Sequence, residues 1–248
     1  MKVRTITIGI DLVYDDFVAV NGVHPLNIKL EIAKKSLDTL KSSLIAAGYE
    51  VQTVRVAFNT FEDWLLNGNV DNRKEVDTIV YTEMIKTLVH YVEKNSIDVC
   101  SIGYCRSSYA ISLVPSLLAI SDKLYCSALF KKDEIDDIAA STASVKQAAQ
   151  TLLDIAKTSG VFGCFRFCAS FNCPAGIPFF PAAYYEKQDP TENTIDRSDG
   201  FIRDPTKKGF LVSIGLECAD LLFIGLHGAS SVSEGIPTKI ILVICEVR

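Results

Sequence analysis

VRTITIGI, residues 3–10, sets Ile6, Ile8 and Ile10 against Thr5, Thr7 and Gly9. A period of two is the spacing of a strand whose two faces meet different surroundings. EVQTVRVAF, residues 50–58, alternates in the same way, with Val51, Val54 and Val56 mixed into Thr and Arg. Between them the period changes. Leu26, Leu30, Ala33, Leu37, Leu40, Leu44 and Ala47 recur at threes and fours, with Pro25 just before and Gly48 just after, the punctuation of a helix.

The same rhythm continues outward. A polar loop over 59–73 carries the single tryptophan, Trp64, and helical spacing returns through Val76, Val80, Met84, Leu88 and Val92. Residues 97–103 form a β-rich run, 111–122 a helix with Pro115 placed near its first turn, and 124–129 a short strand. Val145, Ala148, Ala149, Leu152, Leu153 and Ala156 mark another helix, and GCFRFCAS, residues 163–170, alternates as a fifth strand. Strands alternating with helices predict an α/β fold with a mostly parallel sheet.

After Ser170 the texture changes. Residues 171–186 hold three prolines and four aromatic residues in the stretch from Cys173 to Glu186, too many prolines for a helix or a central strand. A charged stretch, 187–208, reads as an exposed insertion with the character of a lid. Residues 210–216 read as a sixth strand, turning at Glu217 and Cys218 into a short apolar helix ending near Gly228. The expected organisation is one α/β domain over 1–235, followed by an atypical β-branched tail over 236–248.

Composition narrows the partners. With 25 Lys and Arg against 30 Asp and Glu the formal charge is −5, and no run of five like charges occurs. That disfavours nucleic acid and anionic membranes. The opening ten residues lack the basic-then-apolar pattern of a signal peptide, and the apolar runs fall far short of the ~20 residues of a membrane span. A cytoplasmic protein is the expectation, its eight cysteines reduced and mostly buried.

Three stretches together resemble a known family: VRTITIGIDL (3–12), ISLVPSLLAISDKLYCSALF (111–130), and FRFCASFNCPAGIPFFPAAYYE (165–186) leading to SIGLECADLLF (213–223). They are similar to domain of unknown function 711, also called uncharacterised protein family 0210, over nearly the whole chain to about Glu234. The resemblance implies the α/β barrel of pyruvate formate-lyase and the anaerobic ribonucleotide reductases. Family members continue with further strands that complete the barrel. The implied architecture here is therefore a partial α/β barrel lacking its C-terminal half, and the departure from pattern over 236–248 suggests a truncated gene model. Radical chemistry does not follow, because a shared fold does not carry a function with it.

In such a fold the loops after the strand C-termini converge, so their polar residues are the candidates for chemistry. Asp11, Asp15 and Asp16 follow the first strand. Tyr104, Cys105, Arg106, Ser107 and Ser108 follow the third, Asn172 and Cys173 the fifth, and Glu217, Cys218 and Asp220 the sixth. Arg106 and Ser107, at the start of a helix, would hold a carboxylate or phosphate; an ordinary turn whose serines cap the helix accounts for the same residues. Cys173 would act as a nucleophile if Arg106 or His227 lowered its thiol pKa. Glu217 and Asp220 would serve as acid and base, or simply sit well at a helix start. Cys164 and Cys168, on one strand face about 13 Å apart, are too distant to share a metal.

Three readings result, one of them a truncated family member with no independent activity. In the second, Arg106, Ser107, Asn172 and Asp220 bind a small anionic metabolite while Cys173 or Glu217 does the chemistry. No cofactor is specified. In the third, an exposed sheet edge pairs with a second copy or another partner, and the chain is not catalytic.

Overall fold

The computed structural model describes residues 2–66, 78–130, 138–171, 173–186 and 211–217. Strands β1 (Lys2–Ile10), β2 (Glu50–Phe58), β3 (Val99–Cys105), β4 (Leu124–Phe130), β5 (Phe167–Phe171) and β6 (Leu211–Glu217) form one sheet in the order β5-β4-β3-β2-β1-β6. The helices are α1 (Pro25–Ala46), α2 (Phe61–Trp64), α3 (Thr78–Lys94), α4 (Ser108–Leu118) and α5 (Ile138–Ser159). The strands β1 to β5 pair in sequence order and all in parallel. Each crossover therefore steps the same way, and right-handed crossovers stepping one way put every helix on the same face. The sheet curls into a half-barrel, helices outside.

The alternation read from the sequence separates the two faces. Ile6, Ile8, Ile10, Val54, Val56 and Phe58 pack outward against Leu26, Leu30, Ala33 and Leu37 of α1 and against Ile85, Leu88 and Val92 of α3. Each large side chain so buried contributes roughly 1.5–3 kcal/mol over leaving it in water. Thr5 and Thr7 share the other, concave face, their hydroxyls 3.2 Å apart.

That face is covered by the proline-rich block, which forms a strap across the inside of the half-barrel. Thr7 donates to the Pro178 carbonyl, Phe180 packs against Arg55 and Tyr125, and the Tyr185 amide donates to the Phe58 carbonyl. A β-carbon on Gly9 would meet the Tyr185 ring, and one on Gly215 would meet Phe179. Aromatic rings, not helix side chains, fill the concave interior.

Four sequence expectations are corrected. Residues 61–64 are helical within the expected polar loop, because Thr60 accepts the Glu62 amide as an N-cap, and Trp64 is buried. Val161–Arg166 is a 3-10 segment, so β5 begins only at Phe167 and Cys164 lies in no strand. Pro115 falls in the middle of α4, where it offers no amide to the Ile111 carbonyl; the short helix tolerates this with Val114, Pro115, Leu117 and Leu118 buried.

The fourth concerns β6, which runs antiparallel to β1 with Leu211 opposite Gly9 and Glu217 opposite Lys2. The strap delivers the chain to Tyr185 and Glu186 at the C-terminal end of β1 and β2, and β6 starts at that same end. It must then run away from it. The expected insertion at 187–208, the apolar helix after Glu217 and the tail at 236–248 lie outside the described residues. None of the helices among the described residues is long and apolar enough to cross a membrane.

Candidate functional site

The C-terminal ends of β1, β2 and β3 and the last turn of the strap enclose a cavity of about 370 Å³. Its wall includes Asp11 and Tyr14 after β1, Asn59, Thr60 and Asp63 after β2, Tyr104 from β3, and Tyr185 and Glu186 from the strap. Three carboxylates thus approach one opening.

Asn59 builds the floor. Its Oδ1 accepts the Leu12 amide at 2.8 Å and its Nδ2 donates to the Leu12 carbonyl at 3.0 Å, tying the loop after β1 to the end of β2 as another strand would. Its own carbonyl accepts the Trp64 indole at 3.2 Å, and Thr60 donates to the Tyr104 carbonyl at 2.7 Å. On the outer side Lys29 donates to both the Asp11 carbonyl (2.9 Å) and Asp16 Oδ2 (2.7 Å), while Asp16 also accepts the Val13 amide. Asp16 is buried in this role, so of the acids after β1 it is Asp11 that faces the cavity.

Tyr104 reaches the cavity through a local irregularity. The β3–β4 register shifts between Ser101 and Tyr104, and Gly103 adopts φ +88°. One extra residue there turns Tyr104 to the concave side, where its ring meets Tyr184 edge-on at 4.7 Å. Burial raises the phenol pKa of both tyrosines, and that of Tyr185 too. The Asp63 carboxyl is also pushed up, chiefly by desolvation, with Glu62 and Asp11 adding to the rise and an Asn59 hydrogen bond and Arg106 opposing it.

The turn at Arg106 and Ser107 holds a carboxylate of the chain itself, that of Glu62. Glu62 Oε1 accepts the Arg106 amide (3.2 Å), the Ser107 amide (2.8 Å) and the Ser107 hydroxyl (2.7 Å). Ser107 Oγ in turn accepts the Ala110 amide at 3.1 Å, so it is the N-cap of α4. The exposed Arg106 guanidinium lies 4.7 Å over the Tyr104 ring. The sequence profile of the family described as Uncharacterised ACR (DUF711) matches residues 1–223. The chain belongs to this family. None of the curated proteins matches it.

The other candidate residues of this DUF711 chain fall in different places. Cys173 begins the strap and packs beside Tyr104, Leu129 and Tyr184, and its carbonyl accepts the Tyr184 hydroxyl at 2.7 Å. Burial pushes its thiol pKa up, against a Ser170 hydrogen bond, while Arg106 is engaged with Tyr104 instead. Glu217 is separated from all of these. It sits with Lys2, Arg4 and Gln52 at the N-terminal end of β1, nine residues or ~30 Å of strand from Asp11 at about 3.3 Å per residue. The antiparallel course of β6 is the reason, and it corrects the expectation that Glu217 and Arg106 are neighbours. Asn172, Asp220, Cys218 and His227 lie outside the described residues. No group of three or more His, Cys, Asp or Glu among the described residues is arranged to hold a metal ion.

Asp11 and Tyr104 were therefore legible as residues at the mouth of this cavity, whereas Asn59, Asp63 and Glu186, which also line it, were missed. Asn59 and Thr60 directly follow β2, so the rule that selected Asp11 also selects them. Asp63 needed the short helix α2, and Glu186 needed the path of the strap.

Proposed function

We propose that this chain binds a small metabolite carrying a positively charged, amine-type group in the cavity at the strand C-termini. The observation that carries the reading is the convergence of Asp11, Asp63 and Glu186 on one opening. A cationic group desolvated among carboxylates gains charge-assisted hydrogen bonds, and Tyr104 and Tyr185 line the same cavity. Small-molecule sites of α/β folds gather in this position.

The anionic metabolite expected from Arg106 and Ser107 has less to support it. An incoming carboxylate or phosphate would have to displace Glu62 from the turn and would face the three acids across the cavity. Cys173, whose thiol pKa is raised by burial, has no part in this reading.

The test is a thermal-shift titration with putrescine, ethanolamine and L-lysine set against succinate and inorganic phosphate. A ligand that prefers the native state raises Tm by mass action. We expect at least one amine to raise Tm in the wild type and to lose that effect in the Asp63→Asn, Glu186→Gln double variant. Stabilisation by succinate or phosphate instead, or an amine effect that survives the double substitution, would overturn the proposal.

A further inference from the structure

On the concave face beside β5, two thiols flank one hydroxyl. The β4–β5 register places Cys168 opposite Ser127 and Ser170 opposite Leu129, so Cys168 and Ser170 point to the same side, with Sγ and Oγ 3.3 Å apart. Cys173, five residues on in the chain, packs against Leu129, the residue that stands opposite Ser170 in the β4–β5 pairing. Cys168, bonded to Ser170, and Cys173, seated against the residue paired with Ser170, thus share one patch of the concave face. Both are only partly covered, whereas Cys100, Cys105 and Cys126 are fully buried.

We propose that Cys168 and Cys173 form a reversible disulfide when the protein meets hydrogen peroxide. One thiolate takes an oxygen from the peroxide and becomes a sulfenic acid, with one water released. The second thiol displaces that hydroxyl as a second water, so two thiols and one peroxide give one disulfide and two waters. Cys168 is fixed in a strand and Cys173 belongs to the strap, so the disulfide, with its Cβ separation of about 3.8 Å, forms by movement of this end of the strap. Ser170 is the positioning residue. Burial raises both thiol pKa values, and the Ser170 hydrogen bond acts in the opposite direction by favouring each thiolate. The Tyr184 hydroxyl holds the Cys173 carbonyl, so closure of the pair would be felt along the strap.

Trypsin cleavage after Arg166 and Lys187 gives a peptide containing Cys168 and Cys173 and no other cysteine. The intact protein is treated with hydrogen peroxide, blocked with iodoacetamide, digested and weighed. We expect this peptide to lose two hydrogens and both alkylation sites, with dithiothreitol restoring them, and closure to slow about fivefold in Ser170→Ala, the kinetic equivalent of one ordinary hydrogen bond. Two alkyl groups retained after peroxide, sulfinic acid on one cysteine alone, or a cross-link to a different peptide would each overturn the proposal. The wild-type measurement decides it even if the variant does not fold. It is also independent of any ligand in the cavity.

Discussion

The Asn59 carbonyl occupies the space where a β-carbon on residue 103 would stand. Gly103 has φ +88°, and its backbone is pressed against the end of β2 at the point where the β3–β4 register shifts. Both the left-handed conformation and the close approach require glycine.

Gly103→Ala should therefore destabilise the fold by about 3 kcal/mol or more, beyond the conformational cost alone, because the methyl group would meet backbone that cannot swing aside. Urea unfolding followed by tryptophan fluorescence reports it directly, since Trp64 donates to that same Asn59 carbonyl. A loss below about 1 kcal/mol would show that β2 and β3 can separate at this point.

Lys29 and Asp16 form the most enclosed ion pair among the described residues, Asp16 having only 5% of its side chain exposed. Lys29→Met should cost roughly 3 kcal/mol, because Asp16 stays buried with its cation gone and the Asp11 carbonyl loses its donor. The pair replaced together, Asp16→Asn with Lys29→Met, should recover part of that loss. Chemical denaturation of the two singles and the double measures the coupling.

The sequence revealed the sheet because β1 and β2 each bury one face against helices and the other under a strap, so both kept a period of two. It revealed α1 because Leu26 to Leu37 face a single surface. The direction of β6 was hidden: an isolated strand of seven residues reads the same in either sense, and only the endpoint of the strap decides it. The site was half visible for a related reason. Asp11 and Tyr104 follow strands directly, whereas Asp63 depends on a four-residue helix held by Thr60, and the anion-accepting turn at Arg106 and Ser107 gave no sign that Glu62, 44 and 45 residues away, fills it.

Asp63 gives a pH signature. Its carboxyl pKa is raised in the folded protein above its unfolded value, mainly by desolvation. Between those two values the folded state holds more protons than the unfolded chain, so stability falls as pH rises through the window just above the ordinary carboxylate range. Asp63→Asn removes this contribution. The wild type minus variant difference in Tm, followed from pH 4 upward, should decline through that window and then level off. A difference that grows with pH would mean that Asp63 is held ionised by a partner.

Tyr184 should govern alkaline stability and the closure of the strap. Its buried hydroxyl donates to the Cys173 carbonyl, the Gly176 amide donates back to the Tyr184 carbonyl, and burial raises the phenol's pKa above its ordinary value near 10. On unfolding at pH 10 to 11 the phenol ionises, whereas in the fold it stays protonated, so the unfolded state binds fewer protons and stability falls by up to about 1.4 kcal/mol per pH unit from this group. Tyr184→Phe should cost about 1 kcal/mol at neutral pH, through the lost hydrogen bond and a Cys173 carbonyl left without its donor. The same substitution should flatten the alkaline decline, so that the two proteins converge in stability as pH rises past 10. Tyr104 and the buried thiols of Cys100 and Cys105 are shifted upward as well and contribute equally to both proteins, which leaves the difference to Tyr184. Urea melts at pH 7, 9, 10 and 11 measure it, and parallel declines would place the Tyr184 hydroxyl in contact with solvent.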